Sequence, residues 1–329
     1  MRREYLAGTK YGIAVLCFLL FPLSLVGQQP SGQTLSPPPD TTISVDVNLV
    51  VLHATVRDRG GRYVSNLHEG DFHVFEDGRP QTIRVFQHED MPVAVGLVVD
   101  NSGSMNRKRK DVIAAALTFV NTSNPRDEMF VVNFNEHVSL GLPETKLFSA
   151  GPVELEKALN GVPARGMTAL YDAIDQGLTH LKQATLDKKV LIVISDGRDN
   201  ASRHTLAQTL QSVSRSDVII YTIGLFDEFD EDSNAGVLKK LARASGGETF
   251  LLKDTSEVVP TCRRIAEDIR HQYTIGYVPS HEQLDRTYRA IHVTATGPRG
   301  QSLLVRTRAG YMASAAHEGP LATTQGKPQ

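Results

Sequence analysis

"GLVVDNSGSM" occupies residues 96–105, and it is the stretch on which the fold turns. Leu97, Val98 and Val99 form an apolar, largely β-branched run suited to a strand buried on both faces. The run stops at Asp100, and Ser102 and Ser104 follow at alternate positions. A carboxylate and two hydroxyls are the small oxygen donors that a hard cation prefers. A strand that ends this way is expected to deliver its oxygens to the ligand-binding edge of a sheet.

From Val93 to about Thr255 the texture around this stretch is strand alternating with helix. "VAVGLVVD", "MFVVNF", "KVLIVISDG" and "VIIYTIGLF" are apolar strand runs. "RKRKDVIAAALTFV", "PVELEKALNGV", "ALYDAIDQGLTHLKQA", "HTLAQTLQSVSRS" and "AGVLKKLARA" carry apolar residues at helical spacing. Alternation of this kind predicts an α/β fold: a doubly wound, mostly parallel sheet covered by helices on both faces. Ligands bind such sheets outside the carboxyl ends of the strands. Asp196, in "VISDG", closes a second strand at that edge, and Thr168, in "RGMTALYDAI", opens a helix. Taken singly, Asp100 and Asp196 read as cap or turn residues, and Thr168 as a helix N-cap. Gly103 and Gly197 suit the tight backbone of the two loops.

The order Asp-x-Ser-x-Ser, then Thr, then Asp resembles the metal-ion-dependent adhesion site of the von Willebrand factor A domain. Asp100, Ser102, Ser104, Thr168 and Asp196 fill all five positions, and the likeness runs from Val93 to about His271. It implies a Rossmann-like domain holding Mg²⁺, or Mn²⁺ or Ca²⁺. Ser102 and Ser104 would be direct ligands, Thr168 would join when a ligand is bound, and Asp100 and Asp196 would act largely through water. The ion's open position would be filled by an Asp or Glu of a protein or peptide partner. The flanks, "SVDVNLVVLHATVRD", "GDFHVFEDGRPQTI", "YTIGYVPS", "YRAIHVTAT" and "VRTRAGY", resemble von Willebrand A-related proteins common in Acidobacteria.

Those flanks are β-rich. "ISVDVNLVVLHATV" alternates, with Ile43, Val45, Val47, Leu49 and Val51 expected on one face. Gly60-Gly61 and Asp77-Gly78 mark turns, the second inside the hairpin "FHVFEDGRPQTIRVF". "QYTIGYV", "YRAIHVTAT" and "SLLVRTRAGY" read as strands, with "GPRG" as a turn. Neither flank alone has the mass for a core. The simplest expectation is one β-sandwich built from both, with the α/β domain inserted between them; two separate β appendages are the alternative. The organisation read from sequence is a signal peptide over 1–27, a Pro/Ser/Gln-rich linker over 28–42 and an amino-terminal β module over 43–90. The α/β domain follows over 91–272, then carboxyl-terminal strands over 273–313 and a flexible tail over 314–329.

The amino terminus reads as a secretory signal: Arg2, Arg3 and Lys10 precede an apolar run that ends near Gly27. That run is short for a membrane span, so no transmembrane segment is expected after cleavage, and the protein is expected outside the bacterial cytoplasm, secreted, periplasmic or held at the envelope. Cleavage leaves Cys262 as the one cysteine and excludes an intramolecular disulfide. A formal charge of −2 and the lack of a basic tract interleaved with aromatics argue against nucleic acid. There is no His-Glu-x-x-His, Gly-x-Ser-x-Gly or phosphate loop, so nothing in the sequence supports an enzyme. "DEDSNAG", residues 230–236, lacks the glycine and bidentate Glu of a calcium loop and reads as an acidic loop, expected on the same edge as Asp100. "NRKRKD" after Met105 reads as a solvated helix start. Two roles fit these features. One is a metal-dependent adhesion-type binding module; the other is an accessory subunit of an exported enzyme or secretion complex. The sequence does not fix the oligomeric state.

Overall fold

The computed structural model describes residues 49–88, 90–226, 233–280 and 287–313. The amino-terminal flank supplies β1 (Val50–Arg57), β2 (Phe72–Glu76), β3 (Arg79–Gln81) and β4 (Ile83–Gln87). Asp77 and Gly78 both have positive φ, 47° and 78°, the requirement of a tight two-residue hairpin turn, and Glu76 pairs with Arg79 across it. The return arm is shorter than its sequence suggests. β3 carries Pro80, which cannot donate to a ladder and suits an edge strand. After Thr82 the chain departs, and β4 joins a different sheet.

The middle of the chain builds the central sheet from β5 (Ala94–Asp100), β6 (Glu128–Phe134), β7 (Val138–Leu140), β8 (Lys189–Ser195), β9 (Ile219–Leu225) and β10 (Thr249–Leu252). Their order is β10-β9-β8-β5-β6-β7, parallel throughout except for the β7 edge. Every residue of β5 and β9 is buried, as strands covered on both sides require. Each Val or Ile side chain buried there contributes about 1.5–3 kcal/mol. Gly96 lies mid-strand because a Cβ there would meet Leu191 and Phe130 side-chain atoms at 2.5 Å. The layers are completed by α1 (Arg109–Thr122), α2 (Pro152–Asn160), α3 (Leu170–Leu181), α4 (Leu206–Arg215), α5 (Ala235–Ser245) and α6 (Val258–Arg270). β7 and β10, short edge strands, are additions to the sequence reading.

The carboxyl-terminal flank adds β11 (Gln272–Tyr277), β12 (Tyr288–Ala295), β13 (Leu304–Arg306) and β14 (Gly310–Met312). Two four-stranded sheets result, β13-β1-β11-β4 and β14-β12-β2-β3, and each takes strands from both flanks. They share one core, with Leu52, Ala54, Val56, Phe72, Val74, Tyr273, Ile275, Ile291 and Val293 buried together. The sandwich expectation therefore holds, and the separate appendages do not form.

The parity of β1 is opposite to the sequence reading. Val50, Leu52, Ala54 and Val56 face the sandwich core, whereas Leu49 is 40% exposed and Val51 half-buried. Ile43, Val45 and Val47 lie outside the described residues. The cause is that "LVVL" is apolar at both parities, so an alternation extended from Ile43 runs past the polar His53 and Thr55 that mark the odd face as the outer one; that outer face is itself partly covered by the α/β layer. There Thr55 and Arg57 reach Asp268 of α6, at 3.2 and 2.9 Å. Tyr221 of β9 donates to the same carboxylate at 2.5 Å, and Arg306 of β13 also bonds it. Burial alone would raise the Asp268 carboxyl, but Arg306, the Tyr221 hydroxyl and Arg57 outweigh it and hold it below the ordinary carboxylate value. Among the described residues no helix is long and apolar enough to cross a membrane. The signal-like residues 1–27, the linker and the tail over 314–329 lie outside those described.

Candidate functional site

The carboxyl ends of β5 and β8 lie side by side at one edge of the central sheet. β5 ends in Asp100, which is 3% exposed. One of its oxygens accepts the Ser102 backbone N–H at 2.8 Å and the other accepts the Ser195 hydroxyl at 2.6 Å. The chain then enters a 3-10 turn, Gly103–Lys108, that carries Ser104. Ser104 donates to Asp196 at 2.6 Å, and its hydroxyl lies 3.1 Å from that of Ser102. Four of the five residues singled out in the sequence are thus joined by hydrogen bonds or by adjacency along one loop. Ser102 is buried, Ser104 half-buried and Gly103 exposed, so the cluster reaches the surface through the 3-10 turn.

Thr168 is held differently. It is 2% exposed, and its main chain is tied to Asn200: the Thr168 N–H donates to Asn200 Oδ1 at 2.8 Å, and its carbonyl accepts the Asn200 and Ala201 N–H groups. No hydrogen bond links its side chain to the other four residues. Nor is it the helix N-cap, because α3 starts at Leu170 with Ala169 before it. Its loop nevertheless meets the serine loop, since the Gly103 N–H donates to the Gly166 carbonyl at 3.1 Å. Gly166 has φ +82° and packs on Glu136, which also accepts the Met167 N–H at 3.1 Å.

Several parts of this edge carry no sequence signal of their own. Ser195, the residue before Asp196, turns inward to hold Asp100, and its oxygen accepts the Gly197 N–H at 3.0 Å. Gly197 has φ +81°, and a Cβ there would lie 2.4 Å from the Asn234 carbonyl, so the loop tolerates little else. The Arg198 guanidinium lies 3.4 Å from Asp196, whose side chain is fully buried, and the Arg198 N–H donates to the same carboxylate at 3.1 Å. Asn234 donates its N–H to the Asp196 carbonyl and caps α5 with its side chain, so the segment after β9 does return to this edge. Asp230 and Asp232 of that acidic loop lie outside the described residues.

The basic run after Met105 is not simply a solvated helix start. Lys108 is 6% exposed and donates to the Leu225 carbonyl at 2.9 Å, and Arg109 bonds the Asn101 side chain, while Arg107 and Lys110 face solvent. Two of its cations hold the loop that bears the oxygens.

Two carboxylates sharing one buried edge repel. Burial pushes the Asp100 carboxyl up to about 6; the Ser102 and Ser195 hydrogen bonds pull it down, and the charge of Asp196 adds to the rise. Among the described residues no group of three or more His, Cys, Asp or Glu side chains is placed to hold a metal. A cation at this edge would have to take hydroxyl oxygens as well. The residues fit that demand: the Ser104 hydroxyl lies within hydrogen-bonding distance of both Ser102 and Asp196, and among the described residues the buried Asp100 carboxyl has no ion-pair partner.

The von Willebrand factor type A domain family model matches residues 95–198. No curated protein matches the sequence. Similar solved structures include a von Willebrand factor type A protein from Catenulispora acidiphila, 15% identical over 68% of this chain and 67% of that one, with a TM-score of 0.47. Another is proximal thread matrix protein 1 from the mussel byssus with a zinc-occupied MIDAS motif, 15% identical over 58% and 48%, at 0.48. A third is the vWF domain of the type V pili tip protein Mfa5 from Porphyromonas gingivalis, 13% identical over 55% and 95%, at 0.46. Residues 95–198, which run from β5 to just past β8 and hold all five ordered positions, are thus the part of this chain that matches the von Willebrand factor type A domain family.

Proposed function

We propose that the edge formed by Asp100, Ser102, Ser104, Thr168 and Asp196 holds one divalent cation, with Mg²⁺ the first candidate, and that the protein uses it to bind a partner rather than to turn over a substrate. The observation that carries this reading is the Ser104 hydroxyl, which bonds Asp196 and lies beside Ser102 at the point where the cluster reaches the surface. The cation would supply an open coordination position to an Asp or Glu side chain of a protein or peptide. Ser102 and Ser104 would bind it directly, Asp100 and Asp196 would balance its charge, and Thr168, close by on an adjoining loop, would join when the partner is seated. The signal-like amino terminus supports a place in the envelope or outside the cell.

Calorimetric titration with Mg²⁺ tests the site: one ion per chain for the wild type and none for Asp100→Ala. Equal binding by both would sink the reading. An adhesion-type module and a dedicated accessory subunit share this chemistry and differ in partner number. Pull-downs from envelope extract with and without chelator separate them, several chelator-sensitive partners marking the first and one stoichiometric partner the second.

A further inference from the structure

The outward face of β1 is closed at one end and open at the other. Around Thr55 and Arg57 it is sealed by Asp268, Tyr221 and Arg306. Around Val51 and His53 the sandwich and the α/β layer diverge, leaving a cleft of about 350 Å³ on the side of the sheet where β8 begins. That volume lies in the range of small-molecule sites.

One wall is apolar, with Leu49, Val51, Val85 and Met91. Three polar features converge on the rest. Lys188 lines the cleft, and its hydrogen bond goes to the Ile269 carbonyl rather than to a carboxylate. Among the described residues no carboxylate forms an ion pair with it: Asp268, Asp90 and Asp127 favour its charge only from beyond ion-pair distance, Lys189 and Asp217 lie 4.0 Å apart as a pair, and Asp187 is exposed at the rim. Gln272 is 3% exposed. Its amide nitrogen donates to Tyr221 and Thr55, which fixes the side chain, and its Oε1 is buried without a hydrogen-bond partner. His53 contacts Thr274, and burial, with Lys188 and Arg308 nearby, pushes it down to about 3, so it is a neutral ring in this cleft.

An ammonium without an ion pair and a buried acceptor without a donor, as found here among the described residues, are both costly unless something meets them. We propose that this cleft binds a small amphipathic carboxylate, its acid group on Lys188, a neighbouring hydroxyl on Gln272 Oε1, and its apolar chain along Leu49, Val51, Val85 and Met91. The site is separate from the cation edge, since Lys188 and Lys189 stand at the start of β8 and Asp196 follows its end.

The test uses the full chain in excess chelator, so that the cation edge does not contribute, with 3-hydroxydecanoate, decanoate and decanol as probes in calorimetry. The expected result is one 3-hydroxydecanoate per chain, with decanoate several-fold weaker and decanol at least tenfold weaker. Lys188→Met should weaken the hydroxy acid at least tenfold, and Val51→Trp, which fills the cleft, should abolish binding. Both variants are checked for an unchanged circular dichroism spectrum and urea midpoint as proof of folding, with Val85→Trp as a second filling variant. Absence of binding by either acid, affinity for decanol equal to that for the acids, or undiminished binding in Lys188→Met and the filling variants would overturn the proposal. Equal affinity for the two acids would overturn the assignment of the hydroxyl to Gln272.

Discussion

Two buried carboxylates in this protein receive opposite treatment. Asp268, at the seam between sandwich and α/β layer, is met by Arg57 at 2.9 Å, by Arg306 and by two hydroxyls. Asp100, at the carboxyl edge of the sheet, is met by a hydroxyl and a backbone N–H, with a second carboxylate nearby. The chain supplies the counter-charge in the first case and withholds it in the second. The seam is thereby fixed, whereas at the edge Arg198 meets only Asp196, at 3.4 Å, and on the proposed reading a cation from solution would answer Asp100.

The largest effect should come from breaking the seam. Asp268→Ala removes the fully buried anion that Arg57 and Arg306 share and leaves them only Glu248, at 3.2 and 3.6 Å, so it should destabilise the protein by about 3 kcal/mol, read by urea unfolding. A loss below about 1 kcal/mol would mean the two arginines find water instead. The same change at the edge should behave otherwise. Asp100→Ala orphans the Ser195 hydroxyl and the Ser102 N–H but relieves repulsion, so without metal its stability should stay within about 1 kcal/mol of wild type.

Acid should separate the two carboxylates further, because their shifts have opposite signs. The Asp268 carboxyl is held below its unfolded value, so its contribution is present above that value and is lost only as pH falls through the depressed pKa. The Asp100 carboxyl is raised to about 6, so the folded state takes up a proton more readily than the unfolded chain. Its contribution is full below the unfolded value, about 4, and is lost as pH rises through 6. In chelator, stability should therefore rise as pH drops from 7 to 5, and this rise should be missing in Asp100→Asn. A cation must displace that proton, so Mg²⁺ affinity should fall about tenfold per pH unit below 6. A flat affinity between pH 5 and 7 would remove Asp100 from the site. The smallest effect should be that of chelator at neutral pH. The central sheet buries enough apolar surface to stand without an ion, so the melting temperature should move by only ~5 °C from its value in excess Mg²⁺. Unfolding in chelator would make the ion structural.

What the sequence revealed follows from how local each signal is. The buried strands were legible because β-branched runs are short-range patterns, and the meeting of Ser102, Ser104 and Asp196 beside Asp100 followed from strands whose carboxyl ends share one edge; the side chain of Thr168 is not hydrogen-bonded to them. The sandwich was legible from mass alone, since each flank was too small to stand by itself. The parity of β1 was legible only past Leu52: Leu49 to Leu52 is apolar at both parities, and it is the polar His53 and Thr55 that mark Val50, Leu52, Ala54 and Val56 as the core side. The inward turn of Lys108 and Arg109 was hidden; a basic run reads as solvated until the carbonyl of Leu225 and the amide of Asn101 are seen to face it. Ser195 stood next to Asp196 in plain view, but a serine closing a strand is too common to mark without the 2.6 Å bond to Asp100.

The pairing of β1 with β11 and β13 has a consequence for biogenesis. Synthesis or export that proceeds from the amino terminus releases β1 first, and its neighbours arrive only after the whole α/β layer has emerged. Thr55 and Asp268, joined in the finished fold, are 213 residues apart in the chain. During that interval β1 has two open edges and an apolar face, the combination that invites pairing with the wrong chain. The α/β layer, whose contacts are nearer in sequence, is expected to form first and to bring the two flanks together, so that closure of the sandwich is the slow and aggregation-exposed step of folding.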